Sequence, residues 1–155
     1  MPVKPIPDGY HTVTPYLIIA GAAKAIEFYK KAFGATELLR LEGPGGSIGH
    51  AEIKIGDSII MLADEHPQMG YRGPPALGGT PVSIMLYVPN VDAQFAQAIA
   101  AGGKVTRPVV DQFYGDRSGT LTDPFGHVWT IGTHTEDVPA DEIARRLQAM
   151  AKEKT

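Results

Sequence analysis

The chain carries an internal repeat of about half its length. The segment 19–34 has a weak echo in 88–103, and the segment 55–61 has another in 125–131. These two separate landmarks are displaced along the chain by nearly the same amount, which indicates a duplication. Two copies are too few for a solenoid, which needs about three units. They favour two modules that meet at a cleft, where small ligands usually bind.

Each copy predicts the same order of elements, β-α-β-β-β. Apolar residues recur at helical spacing over 22–33, and a second helix is predicted over 91–101 with Asn90 as its N-cap. Residues rich in β-formers surround both helices. The sequence therefore predicts an α+β domain over 1–135, with repeats at about 10–63 and 82–135.

Two segments fall outside the repeats. Residues 64–81 are rich in proline and glycine and lack hydrophobic periodicity, so they predict a long loop, which is typical of lids, binding loops and connectors. Residues 136–155 predict a helical tail whose narrow apolar stripe is Ile143, Leu147 and Met150. A helix this short needs packing to be stable, so we expect the tail to dock on its own chain or on a partner.

Composition excludes several classes of function. The formal net charge is −3 and no basic stripe is present, which argues against a nucleic-acid partner. The absence of cysteine excludes disulfides, a thiol nucleophile and thiolate metal ligands. No stretch approaches the roughly 20 apolar residues of a membrane span, and the first residues do not resemble a signal peptide. We therefore expect no membrane partner and a cytoplasmic location.

Three motifs carry a family resemblance. They are 25–34 (AIEFYKKAFG), 55–62 (IGDSIIML), and Gly115-Asp-Arg117 followed by 121–129 (LTDPFGHVW). With them, residues 10–135 resemble the vicinal oxygen chelate superfamily of glyoxalases, bleomycin-resistance proteins and dioxygenases, and in particular its small bacterial PhnB-like members. The resemblance implies two βαβββ modules that form curved mixed sheets around a cavity, often completed in a homodimer.

The resemblance also locates where a divalent metal would be bound. Metal-dependent members take ligands from the first and last strands of each module, positions that correspond here to Thr14, Ile60, Ser83 and Thr130. Hydroxyls are weak ligands and Ile60 offers none, whereas Zn²⁺ and similar ions prefer imidazole, carboxylate or thiolate. We therefore predict no cofactor, although a divalent metal bound elsewhere stays open.

His50 and Glu52 are the candidates for catalysis. They alternate on one face of a predicted strand, so both could reach one ligand or ion. A positioned imidazole could transfer protons in a lyase, an isomerase or another, transferase-like enzyme. The alternative is a half-exposed strand face on which the two residues have no chemical role.

The predicted cavity wall favours binding over catalysis. If the positions that correspond to metal ligands face the cavity, period-two alternation places aromatic and sulfur-containing side chains on the same cavity wall. The wall residues are Thr14, Tyr16, Ile60, Ser83, Met85, Tyr87 and Thr130. Such a mixed wall suits a small apolar or aromatic molecule, sequestered in a dimeric cavity. The competing interpretation is that these residues fill a small closed core.

Two loops supply further candidates for ligand binding. Arg117 could clamp a carboxylate or phosphate, or it could form a structural pair with a neighbouring aspartate. Tyr71, in the 64–81 loop, could fold over an aromatic ligand as part of a lid, or the loop could instead cover a partner subunit.

Overall fold

Each half of the chain folds as a βαβββ unit. The structure is a computed structural model that describes residues 2–154; Met1 and Thr155, the ends of the predicted domain and tail, lie outside the described residues. The first half comprises β1 (Tyr16–Ile19), α1 (Ala22–Phe33), β2 (Thr36–Glu42), β3 (Ile48–Ile55) and β4 (Ser58–Asp64). Residues 65–82, which we call the linker, join the two halves and contain a 3₁₀ turn (Pro67–Met69) and α2 (Pro74–Leu77). The second half comprises β5 (Ser83–Tyr87), α3 (Val91–Ala101), β6 (Lys104–Asp111), β7 (Asp116–Thr122) and β8 (Val128–His134), and α4 (Ala140–Glu153) follows.

The two halves form two mixed four-stranded sheets of equivalent topology. Their strand orders are β1-β4-β3-β2 and β5-β8-β7-β6. The first strand of each half lies parallel to its last strand, and the other pairs are antiparallel. The α+β fold class with duplicated modules and a C-terminal helix is thus confirmed.

The helices begin and end where their sequence patterns indicate. α1 ends at Phe33 and is capped by Gly34, whose positive φ of 67° suits a residue without a Cβ. The Asn90 side chain accepts a hydrogen bond from the Ala93 amide, so the predicted N-cap of α3 is confirmed. Both helices pack against each other as well as on their sheets, and their apolar faces are buried in a single core.

Trp129 joins the two halves of this core. Its fully buried ring lies 4.7 Å from the ring centroid of Phe33 and 5.2 Å from that of Tyr29, both on α1. The buried Asp123 carboxylate accepts hydrogen bonds from the Trp129 indole (2.9 Å) and the Tyr29 hydroxyl (2.6 Å). The aromatic contacts and this buried acceptor hold α1 of the first half against β8 of the second.

The pairing register decides which side chains face away from the helices. Tyr16 of β1 is paired with Met61 of β4, and Met85 of β5 is paired with Thr130 of β8. Met85 and Thr130 follow Tyr16 and Met61 by the same number of residues, so the two pairs occupy equivalent positions in the two repeats. Glu52 is also opposite Met61. Tyr16, Glu52 and Met61 therefore share the face away from α1, which we call the open face of the first sheet.

Ile60 is consequently not a wall residue. It is 2% exposed and lies in the buried core on the α1 side of β4, while Met61 occupies the position equivalent to Thr130. The predicted register followed an alignment of Gly56 with Gly126, which fails because the first hairpin turns over residues 56–57 and the second over 123–127. Aligning the two glycines displaces β4 by one position from the register that pairs Tyr16 with Met61 and Met85 with Thr130, which reverses the predicted faces of the strand.

Candidate functional site

A cavity of about 590 Å³ lies between the edge strands of the two sheets. Tyr16 and Ile18 of β1 line one side, and Ser83 and Met85 of β5 line the other. Residues of the linker, including Arg72, Pro74 and Leu77, also line it. The cavity has the volume of a small-ligand site and a mainly apolar wall with a few polar groups.

A second cavity of about 650 Å³ lies on the other side of Tyr16. Its wall includes Ile18, Met69 and Tyr71, together with the acidic Asp64 and Glu65. Backbone hydrogen bonds between His66 and Tyr71 fix this part of the linker (2.8 Å and 3.1 Å). Tyr16 and Ile18 thus line both cavities, and Tyr71 lines the second.

A chain of hydrogen bonds starts at Tyr16 and crosses the open face. The Tyr16 hydroxyl lies 2.8 Å from Nδ1 of His50, and Nε2 of His50 lies 3.2 Å from Oε1 of Glu52. The hydroxyl of Tyr10, from the segment before β1, bonds to Glu52 as well. The structure therefore brings His50 and Glu52 together, as the period-two pattern predicted, and links them to the cavities through Tyr16.

The environment keeps both tyrosines protonated and Glu52 ionised. Burial raises the pKa of Tyr16, with smaller contributions from Tyr71 and Glu52. Burial, followed by the hydrogen bond to Glu52, raises the pKa of Tyr10 to about 12. The hydrogen bond from Tyr10 is the largest effect lowering the pKa of Glu52, and His50 lowers it further.

The segment before β1 covers the rest of the open face. A third cavity, of about 420 Å³, is lined by Tyr10 and His11 of this segment and by Thr14, Glu52 and Met61. Thr14 and Met61 are two of the positions from which the superfamily takes metal ligands. Tyr10 and Met61 are residues of the site that the sequence analysis missed. The offset that relates residues 19–34 to 88–103, applied to Thr130, would have identified Met61.

The residues at the four inherited ligand positions do not fit a divalent metal. Thr14, Met61, Ser83 and Thr130 offer three hydroxyls and a thioether, which are poor ligands for Zn²⁺, Ni²⁺ or Fe²⁺. The Thr130 hydroxyl is hydrogen bonded to that of Thr120 (2.9 Å). Within residues 2–154, no group of three or more histidine or acidic side chains is arranged to hold a metal.

Two predicted ligand-binding residues lie elsewhere. Arg117 forms ion pairs with Asp92 of α3 (2.9 Å) and Asp111 of β6 (3.2 Å). The adjacent Asp116, its partner in the structural alternative, bonds instead to Tyr87 and His134. Tyr87 donates a hydrogen bond to the buried Asp116 (2.8 Å) and lines a separate cavity of about 520 Å³ beside α4. Neither residue borders the cavities around Tyr16.

No helix among residues 2–154 combines the length and apolar character needed to cross a bilayer.

Comparison with known proteins identifies the family. Residues 10–131 match the model of the glyoxalase/bleomycin resistance protein/dioxygenase superfamily. An uncharacterized protein of Mycobacterium bovis is 47% identical over 140 residues, covering 88% of this chain and 92% of the relative. The crystal structure of PA1353 from Pseudomonas aeruginosa is similar with a TM-score of 0.66 and 28% identity, covering 81% of this chain and 99% of that one.

The PhnB protein of Bacillus cereus has the same fold, with a TM-score of 0.61 at 18% identity over 79% of this chain and 99% of its own. The chain belongs to the glyoxalase/bleomycin resistance protein/dioxygenase superfamily.

Proposed function

We propose that the protein binds a small apolar or aromatic molecule in the cavities beside Tyr16, without a metal ion. The observation that carries this proposal is the composition of the wall between β1 and β5. Tyr16 and Met85 stand there, 48% and 39% exposed, beside Ser83, which occupies an inherited ligand position. When a ligand covers exposed aromatic and thioether groups inside a concave site, the burial of their apolar surface favours binding.

We also propose that the protein forms a homodimer through the outer strands of its two sheets. The outer strands β2 and β6 each pair on one side only within the described residues. Both carry exposed apolar side chains, namely Leu38, Leu39 and Leu41 on β2 and Val105 and Val110 on β6. Unpaired strand edges and exposed apolar patches are typical of subunit interfaces. A homodimer would remove both from water.

Two methionines of similar exposure provide a matched test of the binding site. Met85 (39% exposed) lines the cavity between the sheets, and Met150 (41% exposed) lies on α4, away from it. We expect Met85→Glu to weaken binding of the dye 8-anilinonaphthalene-1-sulfonate at least tenfold in calorimetric titrations, because it places a charge in the apolar wall. Met150→Glu should bind like the unmodified protein. Equal losses in both variants would refute a site between β1 and β5.

An enzymatic function is the second candidate, favoured by the hydrogen-bond chain. Both ring nitrogens of His50 are already engaged, by Tyr16 and by Glu52. In this arrangement the imidazole reaches a substrate only through the Tyr16 hydroxyl, so the reacting proton would pass by way of Tyr16. Lyase or isomerase activity that requires both Tyr16 and His50 would support this candidate. Activity retained in His50→Ala would exclude it.

A further inference from the structure

The hydrogen-bond chain that ends at Tyr16 has a defined direction. Glu52 is ionised, so its carboxylate only accepts hydrogen bonds, and Tyr10 supplies one of them. The Nε2 atom of His50, 3.2 Å from Glu52, must therefore carry the ring proton and donate it. In a neutral imidazole the other nitrogen is then a bare acceptor.

This tautomer fixes the role of the Tyr16 hydroxyl. The bare Nδ1 of His50 accepts the only hydrogen that the hydroxyl has, at 2.8 Å. The Tyr16 oxygen can then accept a hydrogen bond from another molecule, but it has no hydrogen left to donate. Because Tyr16 lines both large cavities and is 48% exposed, a bound molecule meets an oxygen that can accept but not donate.

We propose that Tyr16 is the specificity-determining residue of the site and that it selects apolar or aromatic molecules bearing a hydrogen-bond donor, such as an N–H or O–H group. This inference rests on the proposed function, since it describes the ligand of the same cavities. A ligand without a donor would cover the Tyr16 oxygen and leave it unpaired, which typically lowers affinity about five- to tenfold.

Two isomeric probes test the selection. 3-Methylindole and 1-methylindole have the same atoms and nearly the same shape, but only 3-methylindole keeps the ring N–H. Calorimetric or ligand-observed NMR titrations should show the unmodified protein binding 3-methylindole about five- to tenfold more tightly. Tyr16→Phe should bind both equally. Tyr87→Phe, which removes a hydroxyl from the other sheet outside these cavities, should retain the preference.

The possible outcomes distinguish a failure of this inference from a failure of the proposed binding function. If neither indole binds and the dye does not bind either, the proposed function is wrong. If both indoles bind the unmodified protein equally well, the binding site stands and the selection by Tyr16 is refuted. A preference that persists in Tyr16→Phe refutes it as well.

A direct measurement requires no variant. Long-range ¹⁵N–¹H correlation spectra of the imidazole distinguish the two neutral tautomers. At a pH where the ring is neutral, His50 should be protonated on Nε2 and bare on Nδ1. A proton on Nδ1 would reverse the direction of the chain and overturn the inference.

Discussion

Asp123 shows how one buried carboxylate can organise contacts between distant parts of the chain. It is 4% exposed, and it accepts hydrogen bonds from the Tyr29 hydroxyl and the Trp129 indole, and from the backbone amides of Phe125 and His127 (2.9 Å and 3.0 Å). The side-chain bonds hold α1 against β8, and the backbone bonds shape the turn between β7 and β8.

We expect Asp123→Asn to lower the free energy of unfolding by about 3 kcal/mol, because an amide cannot accept from all four donors and leaves at least one buried group unpaired. Urea denaturation measures the change. Asp111→Asn is the control, since the Asp111 side chain is 78% exposed and its ion pair is worth little. Similar losses in both variants would contradict the organising role of Asp123.

Tyr29 makes this network sensitive to alkali. Burial, and then the nearby Asp123 carboxylate, raises the pKa of Tyr29 well above its ordinary value of 10.0. A raised pKa means that the protonated phenol contributes stability that is full below the unfolded pKa of about 10 and is lost as the pH rises above it. We expect the free energy of unfolding to fall above about pH 10. Tyr29→Phe should be less stable at neutral pH and should show a weaker alkaline loss.

At the scale of elements, the last strand of each half caps the helix of that half. The Asp64 carboxylate accepts hydrogen bonds from the Gly21 and Ala22 amides at the start of α1 (3.0 Å and 2.9 Å). The Thr133 hydroxyl accepts one from the Val91 amide at the start of α3 (2.9 Å). Asp64 and Thr133 occupy equivalent positions in the two repeats, so the duplication preserved the cap while its chemistry changed.

We expect Asp64→Ala to lower the free energy of unfolding by about 2 kcal/mol, because two helix amides and the Ile48 amide lose their acceptor. Thermal and urea denaturation provide the measurement. Asp57→Ala, at the exposed tip of the β3–β4 hairpin, is the control and should change stability by less than about 0.5 kcal/mol. A stability unchanged by Asp64→Ala would contradict the capping role.

The elements themselves were largely predictable from the sequence, whereas their side-chain faces were less so. The helices over 22–33 and 91–101 have the predicted bounds because their periodicity and glycine stops are strong local signals. The face of β4 was not predictable from Gly56, because register depends on turn length and on the partner strand. Asp64 lies at the start of the predicted 64–81 loop, and its role as the cap of α1 depends on tertiary contact that no local sequence pattern indicates.

The linker between the two halves allows a test of whether Tyr71 forms part of a lid over the ligand. Its fold rests on the backbone hydrogen bonds between His66 and Tyr71 and on the Gly73 amide donating to Glu65 (2.7 Å), not on the Tyr71 ring. Tyr71→Ala should therefore weaken binding of 3-methylindole about three- to tenfold through lost stacking, and leave the oligomeric state unchanged. Tyr114→Ala, beside α4, is the control. If Tyr71→Ala instead dissociates the protein, the loop is an interface element.

At the scale of the whole molecule, we predict a homodimer that forms through the outer strands β2 and β6. Light scattering should give twice the 16.6 kDa mass of the chain. Leu41 of β2 is paired with His50 of β3 and is 53% exposed. Leu147 of α4 has the same exposure, 53%. Leu41→Glu should dissociate the dimer and Leu147→Glu should not, because a buried charge is costly only at the interface. A monomer at micromolar concentration, or the opposite ranking of the variants, would contradict this assembly.

The methionines provide the most direct measurement of the binding proposal. Met85 and Met69 line the two large cavities, whereas Met150 lies on the exposed stripe of α4. In protein labelled with ¹³C at the methionine methyl groups, and without added metal, titration with 3-methylindole should shift the Met85 or Met69 resonance to saturation while Met150 stays unchanged. If Met85 and Met69 do not respond, or respond only after a divalent metal is added, the protein does not bind apolar ligands in the way that we propose.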